Sequence, residues 1–117
     1  MFQDGLVYLF FSPASCNNEM KKVIYKLIPL LNEAAKCFYE LGHVDIWATD
    51  YYADELGIFC KEVSDKILNG TISLEEKTKL WGIFAPTCAW DDSVGNVELG
   101  NEIFDLLEKL YRNEVLK

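Results

Sequence analysis

The stretch of sequence that decides the fold reads VIYKLIPLLNEAAKCFYELG and occupies positions 23 to 42. Its apolar side chains recur three or four positions apart, at Val23, Ile24, Leu27, Leu31, Ala34, Ala35, Phe38 and Leu41. This period is typical of a helix that buries one face against a protein core. The pattern predicts a helix that begins at Asn17 or Asn18, kinks just before Pro29 and ends at Gly42.

A second helix is predicted to run from Asp45 or Asp50 to Leu68. Either aspartate can cap a first turn, so two starting points stay open. Gly70 is suited to the left-handed conformation in which many helices end.

Two further helices follow in the sequence. Ser73 and Glu76 have the spacing of a capping box, which places the start of the third helix there and its end before Pro86. The fourth opens near Asn96 and carries apolar residues at Leu99, Ile103, Leu106, Leu107 and Leu110.

The segment LVYLFF at positions 6 to 11 resembles a short strand in composition. No other segment alternates with a period of two, so such a strand has no partner. A short buried helix or an extended stretch is expected instead, and the conformation stays open. The sequence therefore predicts an all-α protein, a compact bundle of four principal helices in one domain over residues 1–117.

Length, composition and charge exclude several classes of protein. The chain has 117 residues, a formal net charge of −8 and a pI near 4.5. Half of the residues are hydrophobic and 26% are charged, which is too apolar for a disordered chain and too charged for a membrane protein. No export signal or membrane anchor is recognised, so a cytoplasmic location is expected. The shortage of Lys and Arg argues against nucleic acid as a partner and favours a basic protein.

The acidic excess is concentrated after the first helix. From Val44 onward, fifteen acidic residues face seven basic ones. Two segments there combine carboxylates with large aromatic side chains, and they supply the candidate partner-binding residues: Asp45, Trp47, Asp50, Asp54, Glu55, Trp90, Asp91, Asp92 and Glu98. If the segments converge, they form an acidic surface with aromatic anchors for a basic partner. The alternative is that the carboxylates lie on separate solvated helix faces and the aromatic rings turn inward.

The connection between the third and fourth helices, positions 85 to 96, is long for a helical hairpin. A purely structural interpretation has Trp90 filling the centre of the bundle, residues 91–93 capping turns and Gly95 adopting a positive φ angle. A calcium loop does not fit, because an EF-hand counted from Asp91 requires glycine where Asn96 stands.

Positions 85 to 104 read APTCAWDDSVGNVELGNEIF. This run resembles a motif of small helical bacterial proteins of unassigned function, with W-D-D and L-G-N as its distinctive elements. The resemblance covers under a fifth of the chain. It implies no activity and carries over no functional residues.

Patterns typical of catalysis and metal binding are not found. Cys16, Cys37, Cys60 and Cys88 lack zinc-site spacing and are expected to be reduced, with Cys37 and Cys60 in the core. His43, the sole histidine, is expected to cap the end of the first helix. With no phosphate loop, di-iron pattern or oriented nucleophile, the sequence predicts no cofactor, no metal and no enzymatic activity.

Together these features favour an acidic protein-binding module, and specifically an immunity protein that binds and neutralises a basic bacterial toxin such as a nuclease. The alternative hypothesis is a homo-oligomeric structural or adaptor protein without catalytic activity. In that case the apolar segment at positions 6 to 11 would pack against a neighbouring copy.

Overall fold

A computed structural model of the chain describes residues 14–46, 50–85 and 88–116, with side chains from Glu19 onward except that of Asp92. The apolar segment at positions 6 to 11 and Trp47, both named above, lie outside the described residues. So do Pro86 and the side chain of Cys16.

Four long helices make up most of the described chain: α1 (Ala14–Leu41), α2 (Ala53–Asn69), α3 (Leu74–Phe84) and α5 (Val97–Val115). A short helix, α4 (Ala89–Ser93), lies between α3 and α5. Helix α1 packs against α2 and α5, and α3 packs against α5 and α4. The described part of the chain contains no strand, and the prediction of an all-α bundle with four principal helices is confirmed.

The predicted helix ends are confirmed at the glycines. Gly42 and Gly70 have φ angles of 82° and 73°, which a residue with a Cβ adopts only with strain. The N–H of Gly70 donates to the carbonyl of Ile67 at 3.2 Å, and the N–H of Thr71 donates to that of Lys66 at 2.8 Å. This pair of bonds satisfies the last carbonyls of α2.

The predicted helix starts are confirmed for α3 and α5. The Ser73 hydroxyl accepts from the Glu76 N–H at 3.1 Å, and a Glu76 carboxylate oxygen accepts from the Ser73 N–H at 2.9 Å. The Asn96 side chain accepts from the Leu99 N–H at 3.3 Å. Both starts depend on local side-chain chemistry, which the sequence displays directly.

The predicted first residues of α1 and α2 are wrong. Helix α1 begins at Ala14, earlier than Asn17 or Asn18, and it continues through Pro29. Helix α2 begins at Ala53, after both candidate aspartates. The chain between the two helices is held instead by backbone bonds to the first turn of α2, as described below.

Among the described residues, Trp90 is the largest fully buried side chain, with none of its surface exposed. Its indole meets Phe38 of α1 edge to face with the ring centroids 5.3 Å apart, and it lies 5.2 Å from the ring of Phe84 at the end of α3. Its N–H donates to the carbonyl of Asn96 at 2.7 Å. One side chain of α4 therefore contacts three other elements and leaves no buried donor unpaired.

Gly100 of α5 allows the Trp90 indole to pack directly against the helix backbone. A Cβ placed on Gly100 would lie 2.4 Å from Cδ1 and 2.6 Å from Nε1 of Trp90, which is closer than real Cβ contacts. The glycine of the L-G-N element and the tryptophan of the W-D-D element thus form one packing contact. The role of both residues in this protein is structural.

We expect Gly100→Ala to lower the free energy of unfolding by about 1–3 kcal/mol, because the added methyl group overpacks the indole. Gly82→Ala is the matched control, since Gly82 also lies within a helix but has open space where its Cβ would stand. That control should raise stability by up to about 1 kcal/mol. Urea unfolding of the two variants measures both effects, and equal shifts in the two would contradict the packing argument.

The connection between α2 and α3 is reinforced by an ion pair. The Lys66 ammonium of α2 donates to the Glu76 carboxylate in the first turn of α3. This bond, followed by the one from the Ser73 backbone, lowers the pKa of Glu76 from 4.5 to about 2. The same bond raises the pKa of Lys66.

The Glu76 carboxylate should therefore stabilise the fold above pH 4.5 and lose that effect as the pH falls toward 2. Glu76→Gln is expected to lower the urea midpoint of unfolding at neutral pH. Near pH 2 its midpoint should match that of the wild type. Urea titrations between pH 2 and neutral pH measure this difference in stability. Glu75→Gln, which changes an exposed neighbour, is the control. A difference from wild type that stays constant with pH would contradict the assignment.

Candidate functional site

The connector between α1 and α2, residues 42–52, carries the first acidic segment. Its backbone folds back on itself, since the Ile46 N–H donates to the Tyr51 carbonyl at 3.1 Å and the Ala53 N–H to the Val44 carbonyl at 2.8 Å. Asp45 and Tyr52 form an antiparallel bridge. The side chains of Asp45 and Asp50 are both exposed. In the described parts of the connector, residues 42–46 and 50–52, the two carboxylates therefore project from backbone that these bonds tie together.

Asp54 and Glu55 lie in the first turn of α2, where each has a structural contact. The Glu55 carboxylate accepts from the Tyr52 N–H at 2.9 Å, and the Asp54 carboxylate lies 3.1 Å from Nδ1 of His43. Negative charge in the first turn also suits the helix dipole. These two carboxylates therefore help to define the start of α2 as well as adding to the acidic surface.

His43 has a different role from the predicted one. Its imidazole stacks on the Tyr52 ring with the centroids 3.8 Å apart and pairs with Asp54, so it joins the end of α1 to the start of α2. The expectation that it caps the last carbonyls of α1 is wrong. Gly42 takes part in ending the helix instead, with its N–H donating to the Tyr39 carbonyl at 3.0 Å.

The second acidic segment is divided between α4 and α5. Asp91 is half-buried on α4, and Glu98 is exposed in the first turn of α5. Asp92 also lies on α4. The expectation that Trp90 anchors a partner is wrong for this conformation, because the whole side chain is buried against Phe38 and Phe84.

The two acidic segments approach each other at one place. Asp50 of the connector and Ala89 at the start of α4 line the same cavity of about 280 Å³. Lys79 and Gly82 of α3 line it as well. The structure thus brings Asp50 close to the base of the second segment. Glu98 lies apart from Asp50, in the first turn of α5.

Lys79, Tyr51 and Phe59 form a contact at this site that was not predicted from the sequence. The Lys79 ammonium lies 3.7 Å from the ring centroid of Tyr51 and 4.2 Å from that of Phe59. A cation between two aromatic faces is attracted by the negative charge of both π systems. The three residues stand 8 and 20 positions apart in the sequence, on the connector, α2 and α3, so no local pattern reveals the contact.

The described cysteines Cys37, Cys60 and Cys88 are free thiols. Burial in the core raises the pKa of Cys60 to about 12, which makes it a poor nucleophile. Cys37 is half-buried at the edge of the core, so the expectation that it is a core residue holds only in part. Burial, with Glu33 and Glu40 nearby, also raises its pKa.

Other kinds of site are not apparent among the described residues. No group of three or more His, Cys, Asp or Glu side chains there is arranged to hold a metal ion. None of the described helices combines the length and apolar character that crossing a membrane requires. No known family model, curated protein or solved structure matches the chain.

Proposed function

We propose that this protein is an acidic protein-binding module, and specifically a cytoplasmic immunity protein that binds and neutralises a basic bacterial toxin such as a nuclease. The observation that carries the proposal is the exposed carboxylates of Asp45 and Asp50, beside the main-chain bonds that join Ile46 to Tyr51 and Val44 to Ala53. Carboxylates on backbone that is already bonded bind Lys and Arg side chains at a smaller entropic cost.

The distribution of cations supports the same function. Lys66 is paired with Glu76, Lys77 with Glu114 and Arg112 with Glu108, so these bases are already used within the fold. Lys79 is held between two aromatic rings. The carboxylates of the connector therefore contribute to a surface whose net charge is strongly negative, which accelerates association with a basic protein.

In this mechanism the carboxylates occupy the Lys and Arg side chains with which a nuclease holds phosphate. Such residues are clustered in nucleases because the backbone of nucleic acid carries a regular array of negative charge. A partner covered in this way is excluded from its substrate. Inhibition then requires charge complementarity and steric coverage, and no bond in either protein is made or broken.

The test is the triple variant Asp45→Asn, Asp50→Asn, Glu98→Gln. Three exposed ion pairs at about 0.2–1 kcal/mol each predict binding that is roughly 3- to 100-fold weaker at low salt, with a smaller salt dependence. Tagged wild-type and variant proteins are bound to a support, incubated with lysate of the source organism and eluted by a salt gradient. A captured basic protein is identified by mass spectrometry, and its nuclease activity is measured with and without the purified chain.

The matched control is Glu33→Gln, Asp65→Asn, Asp105→Asn, which removes the same charge from exposed positions elsewhere. The proposal requires that the control retain the partner as the wild type does and that the purified chain inhibit it. Equal weakening of both triple variants, or a partner whose activity the chain leaves unchanged, would contradict it.

A second candidate is a homo-oligomeric structural or adaptor protein, and a specific surface favours it. Tyr25 of α1 is 64% exposed, and it lines a groove of about 460 Å³ in which Pro29, Leu30 and Leu106 supply apolar surface and Lys26, Glu102 and Asp105 supply charge. Light scattering of the wild type and of Tyr25→Ser distinguishes the two candidates. A dimer that the variant converts to monomer would favour the oligomer, and a monomeric wild type would exclude it.

A further inference from the structure

The pair of rings around Lys79 opens onto a broad depression on the surface. Its volume is about 870 Å³, and Tyr51, Phe59 and Lys79 line it. Leu74, Glu75, Glu76 and Thr78 complete the lining. Tyr51 is 40% exposed and Leu74 is 55% exposed, so aromatic and aliphatic surface face the solvent beside carboxylates.

This composition matches one kind of ligand. The two rings already hold an ammonium ion, which demonstrates that their spacing and orientation suit a cation. Glu75 is an exposed carboxylate on the rim, and Asp50 lies in the adjoining cavity, which shares Tyr51 and Lys79 with this one. An arginine side chain fits such a site best, since its planar guanidinium stacks on aromatic faces and binds carboxylates through two donors.

We propose that Tyr51 and Phe59 form an aromatic cage that receives an arginine side chain of a basic protein partner, and that Lys79 occupies the cage in the free protein. This inference rests on the proposed function and names the surface through which it acts. The apolar side chain of Leu74 contacts an apolar residue next to that arginine, and Glu75 and Asp50 pair with its guanidinium or with neighbouring bases.

Lys79 acts in this arrangement as an internal competitor. Its ammonium leaves the rings when the arginine enters, and the long flexible stem of a lysine allows this without a change in the backbone. The exchange is favourable because guanidinium is weakly hydrated and loses little on leaving water for the rings. The Lys79 ammonium regains its strong hydration when it leaves the rings for water. The cage is thereby kept filled until a partner binds.

The experiment uses N-acetyl-L-arginine amide as the probe, with the citrulline analogue as its uncharged counterpart. Binding is followed by NMR through the ring resonances of Tyr51 and Phe59 in the full chain. Lys79→Met keeps the aliphatic stem, empties the cage of charge and should tighten arginine binding at least about threefold. Lys61→Met is the matched control, because it removes the same charge from an exposed position elsewhere on α2.

Tyr51→Leu should weaken arginine binding at least about threefold, because one face of the cage is lost. Retention of the wild-type amide spectrum elsewhere in the chain verifies that this variant is folded. The citrulline analogue should leave the ring resonances unchanged. Equal arginine affinity in Lys79→Met and Lys61→Met, or perturbations confined to another surface, would overturn the cage.

The cage and the proposed function fail separately. If arginine amide binds the rings but no basic protein is captured and inhibited, the cage stands and the immunity function does not. If a basic toxin is captured and inhibited equally well by wild type and Tyr51→Leu, the function stands and the cage is overturned.

Discussion

The fold depends on the burial of a single indole. Trp90 belongs to a five-residue helix that could not be stable alone, yet it contacts the side chains of Phe38 and Phe84 and the backbone of Asn96. Replacing such an aromatic group with a small residue costs about 3–5 kcal/mol in a well-packed core. That is a large part of the stability of a domain of this size, so the position of α4 follows from where this ring is packed.

Charged residues of the described chain serve two different tasks. Lys66 joins α2 to α3 by pairing with Glu76, and Lys77 joins α3 to α5 by pairing with Glu114 at 2.6 Å and lying over the ring of Tyr111. The carboxylates of Asp45 and Asp50 are exposed on the surface instead. Their negative charge therefore belongs to the proposed binding surface and adds no contact to the core.

The sequence predicted those parts of the structure that depend on local chemistry. Gly42, Gly70, Ser73 and Asn96 end or begin helices as expected, because the conformation of a glycine or the reach of a capping side chain is decided within four residues. The predicted start of α2 was wrong because Asp45 and Asp50 are equally good local caps. The start is decided instead by the bond from the Tyr52 N–H to the Glu55 carboxylate and by main-chain bonds that join Val44 to Ala53 and Gly42 to Asp54.

The candidate site was harder to predict for the same reason. Whether Trp90 is core or surface depends on Gly100, ten positions away, which leaves space for the ring. The contact between Lys79 and the rings of Tyr51 and Phe59 joins three separate elements. Neither the spacing of these residues in the sequence nor the composition therefore predicts it. Exposed acids were identifiable from the sequence, whereas the aromatic surface beside them required the tertiary structure.

The described parts of the connector that bears Asp45 and Asp50, residues 42–46 and 50–52, are tied together by bonds between main-chain atoms, which every residue except proline can donate. The carboxylates of Asp45 and Asp50 are exposed and take no part in these bonds, so either side chain can be replaced with little effect on them. The residues that core packing requires, Trp90 and Gly100, lie elsewhere in the chain. Under the proposed function, recognition is therefore free to change at Asp45 and Asp50 one residue at a time, while selection for folding acts on the core.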